Sequence, residues 1–129
     1  MHHAKKINIL TIIHGLYFGF TGIWPLVHMR SFLFVTGPKT DLWLVETVGI
    51  LVLVIGLGLV AAGLRKQVSF PLSIIAIGSS VGLMIIDVVY VWSGVIPPVY
   101  LSDALLEVVL ITAWIIYIYQ NRLWETRYT

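Results

Sequence analysis

Between Trp43 and Leu64 the chain reads WLVETVGILVLVIGLGLVAAGL, with Glu46 its single charged residue. A continuous apolar run of that length leaves few folds open. About 20 residues at 1.5 Å each cross the roughly 30 Å hydrocarbon layer of a bilayer. In lipid a backbone must satisfy its own hydrogen bonds, and a helix does so within one segment. The run is continuous rather than alternating, which excludes a strand. Composition supports the same reading, because 59% of the residues are hydrophobic, 11% are charged and the mean hydropathy is +0.97. A soluble domain carries roughly 25% charged residues to cover its surface, so the solvent of this chain is largely lipid.

Three further runs have spanning length. The first, residues 7–27, follows Lys5 and Lys6 and continues through Trp24 and Pro25. It exceeds the apolar core of about 7–15 residues in a cleaved leader and is read as a retained span. A connecting segment, 29–42, holds Arg30, a short apolar patch and the turn pair Gly37 and Pro38. The third run, 68–92, has Pro71 in its first turn, where proline is tolerated. Pro97 and Pro98 separate it from the fourth, 99–119, and a polar tail follows. Short connections force neighbouring helices together. The expected fold is therefore all-α: an integral membrane antiparallel four-helix bundle, one domain over residues 1–129, with spans 7–27, 43–64, 68–92 and 99–119.

Basic residues set the orientation. Lys5, Lys6, Arg65, Lys66, Arg122 and Arg127 fall on one side of such a protein, and Arg30 and Lys39 on the other. Both termini are thus expected in the cytoplasm. Trp and Tyr favour membrane interfaces, and Trp24, Trp43, Tyr90, Trp92 and Tyr100 mark the outer ends of their spans, with Tyr117, Tyr119 and Trp124 at the inner end of the fourth.

On that scale Glu46, Asp87 and Glu107 lie roughly 4 to 11 Å below the outer aromatic belt, at 1.5 Å per residue. Ionisable residues inside a span are costly and mark functional sites by default. Trp43, Glu46, Gly49, Leu53, Gly56, Val60 and Gly63 advance by three or four, placing Glu46 on a glycine seam that should face inward. Ala76, Ser80, Met84 and Asp87 share a face, as do Asp103, Glu107 and Trp114, and as do His14, Thr21 and His28. The expected site takes Glu46, Asp87 and Glu107 as an anionic floor, His28 and Arg30 as its rim and aromatic residues including Trp43 as walls. Plainer readings stand beside it. Glu46 and Asp87 could reach water or pair with Arg30 or Lys39, Asp103 could be a helix cap or loop residue, and His14 beside Tyr17 could be a hydrogen-bonded core residue rather than part of a relay.

Other chemistries find little footing. There is no cysteine, which removes disulfides and thiol catalysis. No stretch is basic and aromatic enough for nucleic acid. His14 and His28 have a spacing that could serve two haems, but no second helix supplies matching histidines. A metal held by His28 with the acids fits by residue type, yet no short ligand motif exists, so neither metal nor cofactor is expected. His2 and His3 carry no assigned role.

The segments VTGPKTDLWLVETVG (35–49) and GIWPLVHMRSF (22–32) resemble a family of small bacterial four-span inner-membrane proteins without an assigned activity. The overall plan is also loosely similar to DoxX-like proteins and to the four-helix emopamil-binding and sigma-2-receptor group, in which the resemblance implies acids inside the bundle that face a lipophilic, often cationic, ligand. The leading expectation is a non-enzymatic inner-membrane protein whose polar pocket, toward the periplasmic leaflet, binds a cationic amphiphile or membrane lipid. Two alternatives accompany it: an accessory subunit of a larger membrane complex or a homo-oligomer, and a proton relay or acid/base chemistry on a lipid through Glu107, Asp87, His28 and His14, with Tyr17 beside it.

Overall fold

The computed structural model describes residues 8–125, so the basic residues Lys5, Lys6 and Arg127 used for orientation lie outside the described residues, as do His2 and His3. The described chain is all-helical: α1 Ile9–Val27, α2 Met29–Thr36, α3 Leu42–Leu64, α4 Phe70–Trp92 and α5 Tyr100–Asn121. Four of these, α1, α3, α4 and α5, are long and apolar enough to cross a membrane. Their bounds fall within about two residues of the runs read from hydropathy. The segment 29–42, a connection on hydropathy alone, contains the short helix α2.

Local chemistry explains where the helices start and stop. Asn8 caps α1 by accepting from the Thr11 amide at 2.8 Å. Ser69 does the same for α4, accepting from Leu72, with Pro71 in the first turn as expected. The imidazole of His28 accepts from the Ser31 amide and caps α2, which breaks the helical path just after Pro25. Gly37, at φ +95°, ends α2 in a conformation that side chains rarely adopt.

The sequence is distributed inside out relative to a soluble protein. Ile9, Phe20, Leu51, Val54, Leu57, Ile74, Leu105 and Val109 are exposed, whereas Thr11, His14, Ser73, Ser80, Asp87 and Glu107 are buried. That distribution suits a lipid surrounding, where exposed apolar groups carry no cost and polar groups gain by turning to one another.

Along α1 and α3 the contact is glycine on glycine. A Cβ on Gly15 would lie 2.6 Å from the Gly56 carbonyl oxygen, and one on Gly22 would lie 2.6 Å from that of Gly49. Gly63 likewise sits against the Asn8 backbone. The pairing of low with high numbers makes α1 and α3 antiparallel. Helix α4 packs mainly on α5, and α1 bridges to both through His14. At the end of the molecule where the described residues begin and finish, Leu59, Val68, Ala76, Trp114 and Leu123 form a solid apolar core. The opposite end is hollow.

Candidate functional site

A cavity of about 430 Å³ occupies that hollow end. The last turns of α1 contribute Tyr17, Thr21 and Trp24, and α3 supplies an apolar wall from Val45, Val48 and Val52. Asp87 comes from α4, and Asp103 and Glu107 from the first turns of α5. Asp103 and Glu107 are four residues apart and therefore share a helical face.

Burial singles out two of these acids. Glu107 is 0% exposed and Asp87 5%, yet Asp87 Oδ2 and both Glu107 carboxylate oxygens have no hydrogen-bond partner. Asp103 stands near both, within electrostatic reach, and accepts a hydrogen bond from the Tyr17 hydroxyl. Holding a carboxylate ionised out of water without a partner costs several kcal/mol or more; the neighbours at hand are Asp103 for both acids and the Ser80 hydroxyl for Glu107.

The one cation lining the cavity is already engaged. Lys39 Nζ donates to the Thr36 carbonyl at 3.2 Å, the Thr36 hydroxyl at 3.0 Å and the Gly37 carbonyl at 3.2 Å. It also lies 5.5 Å from the centre of the Phe32 ring and 5.2 Å from that of Tyr100. An ammonium has three N–H donors, and all three are used at the C-terminal end of α2, where the helix dipole favours positive charge. The plainer reading in which Glu46 or Asp87 pairs with Lys39 therefore finds no contact here. Among the described residues the salt bridge present is Arg122 with Glu125, far from the cavity.

Below the acids, His14 is completely buried in a directional chain. Trp114 Nε1–H donates to His14 Nδ1 at 2.9 Å, and His14 Nε2 lies 3.2 Å from the Ser80 hydroxyl. Indole is a donor only, so Nδ1 must be the acceptor and the proton of the neutral ring is assigned to Nε2. The Phe18 ring packs edge-on at 4.4 Å between centroids. Ser80 in turn lies beside Glu107, connecting the histidine to the cavity floor.

Of the expected site residues, Asp87 and Glu107 come together. Glu46, His28, Arg30 and Trp43 do not line the cavity, and all four are exposed. For Glu46 the reason is geometric. The glycine seam is real from Gly49 to Gly63, but Gly49 already meets Pro25 and Leu26 at the end of α1. One turn further on, α3 has no α1 beside it, so Trp43 and Glu46 extend the periodicity into empty space. The cavity lies on another face: Glu46 is rotated about 100° from Val45, which lines it. His28 is spent as a helix cap, and Arg30 points away. Conversely, Asp103 is neither cap nor loop: α5 begins at Tyr100 with no side-chain cap, and Asp103 turns inward to Tyr17. Its spacing from Glu107 was the available signal. Tyr17 and His14, paired in the sequence reading, diverge: the first serves the cavity and the second the buried chain.

Among the described residues no three histidine or acidic side chains converge closely enough to hold a metal ion. Comparison with protein-family models, curated proteins and solved structures finds no match.

Proposed function

We propose that this chain is a multi-pass protein of the bacterial inner membrane, both termini cytoplasmic, that binds rather than transforms a lipophilic cation in a cavity open toward the periplasmic leaflet. The observation that carries this reading is the pair of buried, unpartnered carboxylates, Asp87 and Glu107, at the floor of an otherwise apolar and aromatic cavity. A cation would satisfy the acids, and an apolar body would cover Val45, Val48 and Val52. The antiparallel four-helix arrangement proposed from the sequence is supported by the α1–α3 seam and the α4–α5 pairing, and the loose DoxX-like and sigma-2-like likeness belongs to the same proposal.

The test compares adamantylamine with neutral adamantanol by thermal denaturation in detergent. The amine should stabilise wild type, by about 2.7 kcal/mol at a hundredfold excess over Kd, and lose that effect in the Asp87→Asn/Glu107→Gln protein. Equal stabilisation of wild type and variant by the amine refutes the reading.

Two observations bear on the alternatives. Gly78 and Gly82 on α4 are exposed with nothing within 4 Å, a small-residue face that favours assembly with another membrane helix. A protein that stays monomeric in every mild detergent would remove that second reading. The proton-relay reading has less support, because the path from His14 meets Trp114, whose indole cannot accept a proton.

A further inference from the structure

The cavity constrains the head group of its ligand more closely than by charge. Asp87 Oδ2, Glu107 Oε1 and Glu107 Oε2 are buried acceptors without a donor. They belong to neighbouring helices, α4 and α5, and both residues line one cavity. Of the protein's own donors nearby, the Tyr17 hydroxyl is committed to Asp103 and the three N–H groups of Lys39 to Thr36 and Gly37, while the Ser80 hydroxyl, which receives the His14 Nε2–H, stands beside Glu107 and can serve one of its oxygens. When ionised, these groups only accept hydrogen bonds, and Asp103, the acid beside both, then donates none.

We infer that the site is built for a cation with at least two N–H donors, a primary ammonium or a guanidinium on an apolar body, and that it discriminates against a quaternary ammonium of the same charge. This rests on the cation-binding reading above and deepens it. A primary ammonium carries three N–H groups and a guanidinium presents a planar fork that matches a carboxylate in pairs. A trimethylammonium offers charge with no donor at all. It would leave the oxygens that Ser80 does not serve desolvated and unbonded, which is the costly case. The aromatic residues alone would not make this distinction, because ring faces accept quaternary and primary cations alike. The carboxylates therefore set the selectivity and the rings do not.

The experiment is run on the wild-type chain in detergent, with adamantylamine, adamantylguanidine and trimethyladamantylammonium as probes and thermal shift or calorimetry as the readout. The expected result is that the amine and the guanidine bind at least tenfold more tightly than the trimethylated probe. Glu107→Gln and Asp87→Asn, each of which removes a charge and replaces one carboxylate oxygen by a donor, should each shrink that ratio. The ratio in wild type stands by itself if a variant fails to fold. Equal binding of all three cations overturns the donor-count inference while leaving cation binding intact. If no cation binds better than adamantanol, both fall together.

Discussion

Replacing Gly56 with alanine isolates what holds α1 against α3. A Cβ at Gly56 would lie 2.6 Å from the Gly19 nitrogen, 2.7 Å from the Gly15 oxygen and 3.1 Å from the Gly19 Cα. Ordinary contact begins near 3.4 Å, so 3.4 minus 2.6 leaves a shortfall of 0.8 Å. The obstacles are backbone atoms, which cannot rotate away, so the two helices must separate by most of that distance. Overpacking of this kind costs about 1–3 kcal/mol. Alanine also favours a helix over glycine by about 0.8–1 kcal/mol, which would mask part of the loss. Gly58 supplies the correction: it is on the same helix, with nothing within 4 Å of its added Cβ. Helix propensity cancels between the two alanine proteins, so Gly56→Ala should be about 1–3 kcal/mol less stable than Gly58→Ala. The measurement is unfolding in mixed micelles by increasing dodecyl sulfate, followed by tryptophan fluorescence. Equal stability of the two alanine proteins would refute the close backbone seam.

Other expectations follow from individual contacts. His14→Ala removes the acceptor of the buried Trp114 N–H and a completely buried side chain, and should cost about 2–4 kcal/mol in the same unfolding assay. Lys39→Met takes away the cation between Phe32 and Tyr100 and its three bonds to the α2 terminus; faster amide hydrogen exchange should appear between residues 36 and 41, with the α1–α3 seam unchanged. Glu46→Gln alters an exposed residue outside the cavity, so stability should stay within about 0.5 kcal/mol of wild type. Adamantylamine affinity should be unaffected by that change, and a tenfold loss would return Glu46 to the site.

The helices were legible in the sequence because lipid makes the requirement severe: a span must be continuous, apolar and long, and four runs met all three conditions. The site was legible only in part, and the difference lies in what fixes each residue. Glu107 lies two turns into α5 and Asp87 more than one turn inside the end of α4, where a charge has nowhere to go but inward. Glu46 sits near a helix end, and its orientation depends on where α1 stops, which follows from Pro25 and the His28 cap rather than from the periodicity of α3. Asp103 has the converse ambiguity. Its character as cap or wall depends on whether α5 begins at Tyr100 or two residues later, and one turn of helix decides it. The engagement of Lys39 could not be read at all, because it needs the C-terminus of α2, a helix that short apolar segments between spans do not announce.

The hollow at one end has a physical cause in the same side chains that line it. Glycine brings α1 and α3 into backbone contact along their shared length, and at mid-depth the Trp114 and Ser80 contacts to His14 tie α1 to α5 and α4. Below that level Leu59, Ala76 and Trp114 fill the space. Above it, Asp87, Asp103 and Glu107 stand where apolar packing would otherwise fill the space, and burying them against apolar side chains is costly. The acids thus leave the cavity and also define what can close it. A bound cation would join α4 and α5 through Asp87 and Glu107 while its apolar body replaced the missing packing against α3. Both effects act on the same helices, so occupancy should tighten this end of the protein as a unit.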